Sequence, residues 1–120
     1  MAKLNELVWA AGLIPANSSG ILSSSSLVHT GRCLLTGIKV NTDGVNDASV
    51  SVYDNTEASG KVVDSFKVAA AELYGGVMYG KSPVLMDNGI YVGMSGGSVE
   101  VIIFYFDADS TLHSKTIGTL

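Results

Sequence analysis

Apolar and polar positions alternate with a period of two over most of the middle of the chain. In "SVSVY" (49–53), Val50 and Val52 fall on one face while Ser49, Ser51 and Tyr53 fall on the other. Similar runs recur at short spacing. "LVHTGRCLLTGIKV" (27–40), "KVVDSFKV" (61–68), "VLM" (84–86), "IYVGM" (90–94) and "VEVIIFYF" (99–106) all read as strand. "VAAAEL" (68–73) suits one helical turn, and "GGVMYG" (75–80) a short strand. Turn chemistry punctuates them: "NTDGVNDA" (41–48), "DNTEASG" (54–60), Asn88-Gly89 and "SGGS" (95–98). Seven or eight short strands without any βα repeat predict an antiparallel sandwich or barrel. The preferred form is an all-β antiparallel β-sandwich, jelly-roll-like or immunoglobulin-like.

The last run departs from the half-buried pattern. Val99, Val101, Ile103 and Tyr105 share one face; Glu100, Ile102, Phe104 and Phe106 share the other. A sandwich strand ordinarily shows water one polar face. Both faces here are largely apolar, so one is expected in the core and the other under a cover, either the N-terminal arm or another subunit.

Three regions follow: an arm and serine-rich connector (1–26), the body (27–106) and a polar tail (107–120). Leu4, Leu7, Val8 and Ala11 have helical spacing, with Gly12 as a C-cap, so the extended arm is expected to contain a short helix. Two or three turns are too few to be stable alone in water. With Trp9, Leu13 and Ile14 the arm is an apolar peg, and "NSSGILSSSS" (17–26) reads by composition as its flexible tether. Such a peg docks on its own body or on a neighbour.

Composition strengthens the case for association. The 120 residues, one domain's worth, are 47% hydrophobic and 15% charged, with mean hydropathy +0.35. Soluble domains carry about 25% charged residues, so some apolar surface is expected to be buried against other chains. The net charge of −4 and scattered basic residues argue against a nucleic-acid partner. No apolar run reaches the ~18 residues of a membrane span. Asn5 and Glu6 interrupt what would otherwise resemble a signal sequence after Lys3. The single cysteine, Cys33, can form neither an internal disulfide nor a cysteine-based zinc site, which fits a reducing cytoplasm.

Candidate chemistry is sparse. His29 and Cys33 would be neighbours on a helix but lie about 13 Å apart along a strand, so a buried Cys33 and a half-exposed His29 are expected instead of a dyad. His113 falls in the tail. Asp107 and Asp109, if the last strand continues, would place carboxylates about 6–7 Å apart, but without further oxygen ligands they read as a solvated strand exit. "TDGVND" (42–47) lacks the ligand spacing of a calcium loop and reads as a tight turn. "GMSGG" (93–97) fits GxSxG, yet that motif needs a strand-to-helix turn and a strand follows here. No phosphate-loop pattern occurs among the 14 glycines. Tyr74, Tyr79, Tyr91, Tyr105 and Trp9 could line a sugar-binding surface or fill cores and interfaces. No catalytic residue, cofactor or metal is expected.

"TGIKVNTDGVNDASVSVYDNTEASGKVV" (36–63) and "NGIYVGMSGGSVEVIIFYF" (88–106) resemble small virion structural proteins of tailed bacteriophages. The resemblance covers most of the body and neither arm nor tail. It implies a β-sandwich subunit without enzymatic activity, repeated on the particle and assembled in the host bacterial cytoplasm. A capsid decoration (cement) protein fits best, with the major capsid protein and copies of itself as partners. A head–tail, portal-ring or tail component is the nearest alternative, and a carbohydrate- or receptor-binding surface module a more distant one. Docking is expected through Leu4, Leu7, Trp9, Leu13 and Ile14 in the arm and Ile102, Phe104 and Phe106 on the body.

Overall fold

The computed structural model describes residues 16–107. They form nine strands: β1 (Asn17–Ser18), β2 (Ser26–Thr30), β3 (Cys33–Asn41), β4 (Ala48–Tyr53), β5 (Val62–Val68), β6 (Tyr74–Met78), β7 (Val84–Met86), β8 (Gly89–Ser95) and β9 (Glu100–Asp107). A single 3₁₀ turn, Ala70–Glu72, stands where "VAAAEL" suggested one. The class is all-β, in two antiparallel sheets. Sheet A runs β1-β9-β3-β6, with β7 end to end with β6 along the same edge of β3; sheet B runs β2-β8-β4-β5.

The pairings nest. β1 pairs with β9, β2 with β8, β3 with β6 and β7, and β4 with β5. The chain is thus one long antiparallel hairpin whose tip is residues 54–61. It is rolled up so that β9 also meets β3 and β8 also meets β4. The inner faces meet in one core. Leu35, Ile38 and Val40 of β3 with Val101 and Ile103 of β9 face Val50 and Val52 of β4 and Ile90 and Val92 of β8. Each of these side chains is at most 1% exposed, and each such burial contributes about 1.5–3 kcal/mol.

The run 27–40 is not one strand. Gly31, with φ +96°, turns the chain out of sheet B and into sheet A, and its N–H donates to the Asn88 carbonyl at 3.0 Å. His29 and Cys33 therefore lie on strands of different sheets. Within β3 a second irregularity sets the core. Leu35 pairs with Tyr105 and Gly37 with Phe104, leaving Thr36 as a bulge. The extra residue shifts the side-chain phase, so Cys33 and Leu35 point inward before it and Ile38 and Val40 after it. Without the bulge Lys39 would enter the core.

The serine-rich connector is also ordered differently from its composition. Asn17 and Ser18 pair with Tyr105 and Phe104. Ser19 N–H donates to the Ile103 carbonyl, and Ile103 N–H donates back to Ser19 Oγ, both at 2.9 Å. Leu22 exchanges two backbone bonds with Val101. Met94 N–H donates to Ser25 Oγ at 3.0 Å. Serine hydroxyls here take the place of backbone partners along the strand edges. The arm with its expected helix, including Leu4, Leu7, Trp9, Leu13 and Ile14, and the tail with Asp109 and His113, lie outside the described residues.

Candidate interaction surface

The polar groups singled out by sequence are occupied by the fold. Asp54 opens the hairpin tip and is 6% exposed. Its carboxylate accepts N–H bonds from Asp87 at 3.1 Å and Asn88 at 2.8 Å. It therefore stitches the β4–β5 tip to the β7–β8 turn, beyond the local bend in which it was expected to act. Within the tip, Asn55 Nδ2 donates to the Ser59 carbonyl at 2.9 Å. In "TDGVND", Asp43 accepts from Val45 N–H, Asn46 N–H, Asn46 Nδ2 and Ser98 N–H. Those donors hold its carboxyl well below the usual range. Asp47 is lowered too, first by the Ala70 N–H and then by Lys67 at 3.3 Å. In "GMSGG" the serine ends β8 and a turn leads into β9, strand to strand.

Cys33 is fully buried. Burial, with smaller contributions from the Asp107 and Asp54 carboxylates, pushes its thiol up to about 12, which suppresses the thiolate a nucleophile needs. His29 has Asp107 beside it instead, Nε2 to Oδ1 at 3.8 Å, and its ring lies 5.3 Å from that of Tyr105. Among the described residues no group of three or more His, Cys, Asp or Glu side chains is arranged to hold a metal ion.

The tyrosines are dispersed. Tyr79 turns inward and its hydroxyl donates to Asp64 Oδ2 at 2.6 Å. Burial, then that bond, raises its pKa above the ordinary value. Tyr105 packs against the core. Tyr91 meets Tyr53 edge-on at 6.4 Å on the outside of sheet B. Tyr74 stands on the outside of sheet A.

The two outer faces differ. On sheet B, β4 and β5 present Ser49, Ser51, Ser65 and Lys67 beside one apolar row, Leu27–Tyr91–Tyr53–Val62, whose two end residues are about half exposed. On sheet A the register builds rows that are apolar apart from one exposed lysine: Phe106–Leu34–Leu85, then Phe104–Gly37–Met78, then Ile102–Lys39–Gly76. Ile102, Phe104 and Phe106, chosen from the sequence, are thus brought together on one half-buried face. The structure adds neighbours that strand periodicity in β9 alone did not reveal. Tyr74 is 68% exposed, Met78 66% and Leu85 46%. Their signal was the spacing Tyr74, Gly76, Met78, three residues on one side of a short strand.

Between them runs a groove of about 350 Å³ lined by Ile38, Lys39, Tyr74, Gly76, Met78 and Phe104. Gly76 makes its floor possible. At φ +144° a side chain there would be strained, and its Cβ would run into the Ile38 carbonyl oxygen. The backbones of β3 and β6 approach closely; Tyr74 stands on one side of Gly76, and on the other the Met78 thioether lies over Gly37. Set against protein-family models, curated proteins and solved structures, the chain matches none.

Proposed function

We propose that this protein is a non-enzymatic structural subunit of a tailed-phage virion, a capsid decoration (cement) protein that stabilises the head by bridging subunits. The observation that carries the reading is the asymmetry of the outer faces. Sheet A groups Ile102, Phe104, Met78 and Leu85 around a single lysine, Lys39, whereas sheet B confines its exposed apolar side chains to one row, Leu27–Tyr91–Tyr53–Val62, beside Ser49, Ser51, Ser65 and Lys67. An apolar face of this kind on a small domain marks an association surface. The nested strand order supports a finer fold reading, a jelly roll of two Greek keys, an architecture common in viral capsids. The resemblance of residues 36–63 and 88–106 to phage virion proteins points the same way. In this reading the apolar residues of the arm and the face of sheet A together form the attachment surface, with the major capsid protein and further copies of the chain as partners.

Jelly rolls also occur in lectins, and a second trough of about 260 Å³ on sheet B favours that reading. It is lined by Ser25, Ser49, Ser51, Tyr53, Gly93 and Ser95, hydroxyls and an aromatic edge suited to a sugar. Copy number per purified particle separates the alternatives. A decoration protein is present in a number comparable to the major capsid protein, measured by band intensity. About a dozen copies would instead place it in a symmetric ring at the head–tail junction or in the tail. Glycan or host-cell binding by the isolated chain would favour the receptor module.

A further inference from the structure

The face of sheet A needs an occupant before any particle is met, and the geometry points to one: we infer that in the isolated chain residues 4–14 fold back onto the outer face of their own sheet A, with Trp9 in the groove between Tyr74 and Met78. The inference does not depend on the particle reading, since it concerns the chain alone.

Three observations carry it. The first is where the described chain begins. Asn17 pairs with Tyr105 at the β9 edge, so residue 16 stands beside the Phe106 end of the apolar rows. The fifteen residues before it start within one strand spacing of the face. A tether of a few residues gives an effective concentration in the millimolar range, which favours the chain's own face over that of a second copy.

The second is size. The rows extend about 14 Å along β9 and about 10 Å across three strands. That is far below the roughly 800 Å² per partner of a standard protein interface, so a second copy laid flat on these rows would gain too little. The eleven residues 4–14 span about 16 Å at helical rise, close to the length of the rows from Phe106 to Ile102. The third is composition. The segment supplies Leu4, Leu7, Trp9, Leu13 and Ile14 to a face of aromatic and aliphatic side chains around one lysine, Lys39, whose cation also attracts an aromatic ring face. The groove floor has no side chain at Gly76, while Tyr74, Met78 and Phe104 give it aromatic and thioether walls. Such walls suit an indole, because sulfur and ring edges both make favourable contacts with aromatic faces.

Trp9 is the sole tryptophan, so its emission reports the contact directly. In the dilute full-length protein the emission should be blue-shifted relative to the unfolded chain, and acrylamide should quench it several-fold more slowly. Met78→Glu, at an exposed position, should move both values to those of the unfolded chain while far-UV circular dichroism and the melting transition persist. Tyr74→Glu should repeat the result, so a folding failure in one variant does not decide the matter. Ser65→Glu on sheet B should change nothing. Three outcomes overturn the inference: an indole in the wild type as quenchable as in the unfolded chain; burial that disappears on dilution, which assigns the arm to a neighbour's face; or burial untouched by both sheet A variants, which puts Trp9 elsewhere.

Discussion

Thr36 carries a buried hydroxyl with no hydrogen-bond partner, an arrangement that costs about 1–3 kcal/mol of lost hydration. It sits in the β3 bulge, where the backbone does the useful work: its carbonyl accepts the Tyr79 N–H at 3.0 Å. Valine has nearly the same shape and no hydroxyl. Thr36→Val should therefore stabilise the fold, by roughly 0.5–1.5 kcal/mol, seen as a higher urea midpoint with an unchanged slope. Tyr79 is the opposite case, a half-buried hydroxyl with a partner. Because its folded pKa is raised, the neutral phenol is the form the fold prefers. The resulting stability is fully present below the ordinary tyrosine value of about 10 and is lost as pH rises through the folded value. Cys33 adds a second loss of the same sign, beginning near the ordinary thiol value of about 8.5 and completed near its folded value of about 12. Chemical denaturation between neutral and strongly alkaline pH should show stability falling from about pH 9. In Tyr79→Phe the fall above about pH 10 should be shallower, with the earlier part, due to the thiol, retained.

At the level of elements, the serine-rich connector is where composition misled most. Residues 17–26 read as a flexible tether because serine clusters usually are. Here, however, a hydroxyl stands in for a missing strand partner at two sheet edges, Ser19 against Ile103 and Ser25 against Met94. Ser19→Ala should leave the Ile103 N–H without that acceptor and cost about 1 kcal/mol. Hydrogen exchange at Ile103 should accelerate, and residues 17–22 should become open to proteases, while the β4–β5 hairpin is unaffected. Most strands were legible because Val50, Val52, Ile90, Val92, Val101 and Ile103 alternate cleanly with polar or outward positions. The Asn88-Gly89 and "SGGS" turns were legible from positive-φ chemistry. The break at Gly31 was not, because strand-like residues on both sides outweigh one glycine. The bulge at Thr36 had a signal that a simple count of apolar residues passes over. Buried positions change from odd (33, 35) to even (38, 40), and only an inserted residue lets a strand do that. Of the candidate surface, the β9 half was legible from two apolar faces in one strand. The β6 half was not, because its register against β3 depends on pairing residues 33 to 41 apart in the chain, Asn41 with Tyr74 through Gly37 with Met78.

For the whole molecule, the rolled hairpin has a consequence that neither sheet has alone. Rolling a single long hairpin places its two ends, β1 and β9, side by side at one edge of sheet A and its tip at the far edge of sheet B. β1, the last strand and the rows of sheet A are thereby gathered on one side, and the polar hairpin residues Ser49, Ser51 and Ser65 on the other. The proposed particle role would give these two sides different parts, one facing the particle and one facing water. If sheet A is the attachment side, a charge placed there must be desolvated against the particle without a partner, whereas the same charge on sheet B stays in water. Leu85→Glu is a suitable probe, because Leu85 points away from the core between Val84 and Met86, which face it. It should weaken attachment to particles lacking the protein by about 3 kcal/mol, roughly a hundredfold in the concentration needed for half-saturation, with the melting transition little changed. Ser51→Glu should attach as the wild type does. Equal loss from both variants would mean that the particle grips both faces, and loss from Ser51→Glu alone would reverse the orientation, making the serine and tyrosine trough the attachment side. The comparison works because both substitutions add the same charge to a strand of the same body. The difference between them reports only which face loses water when the subunit docks.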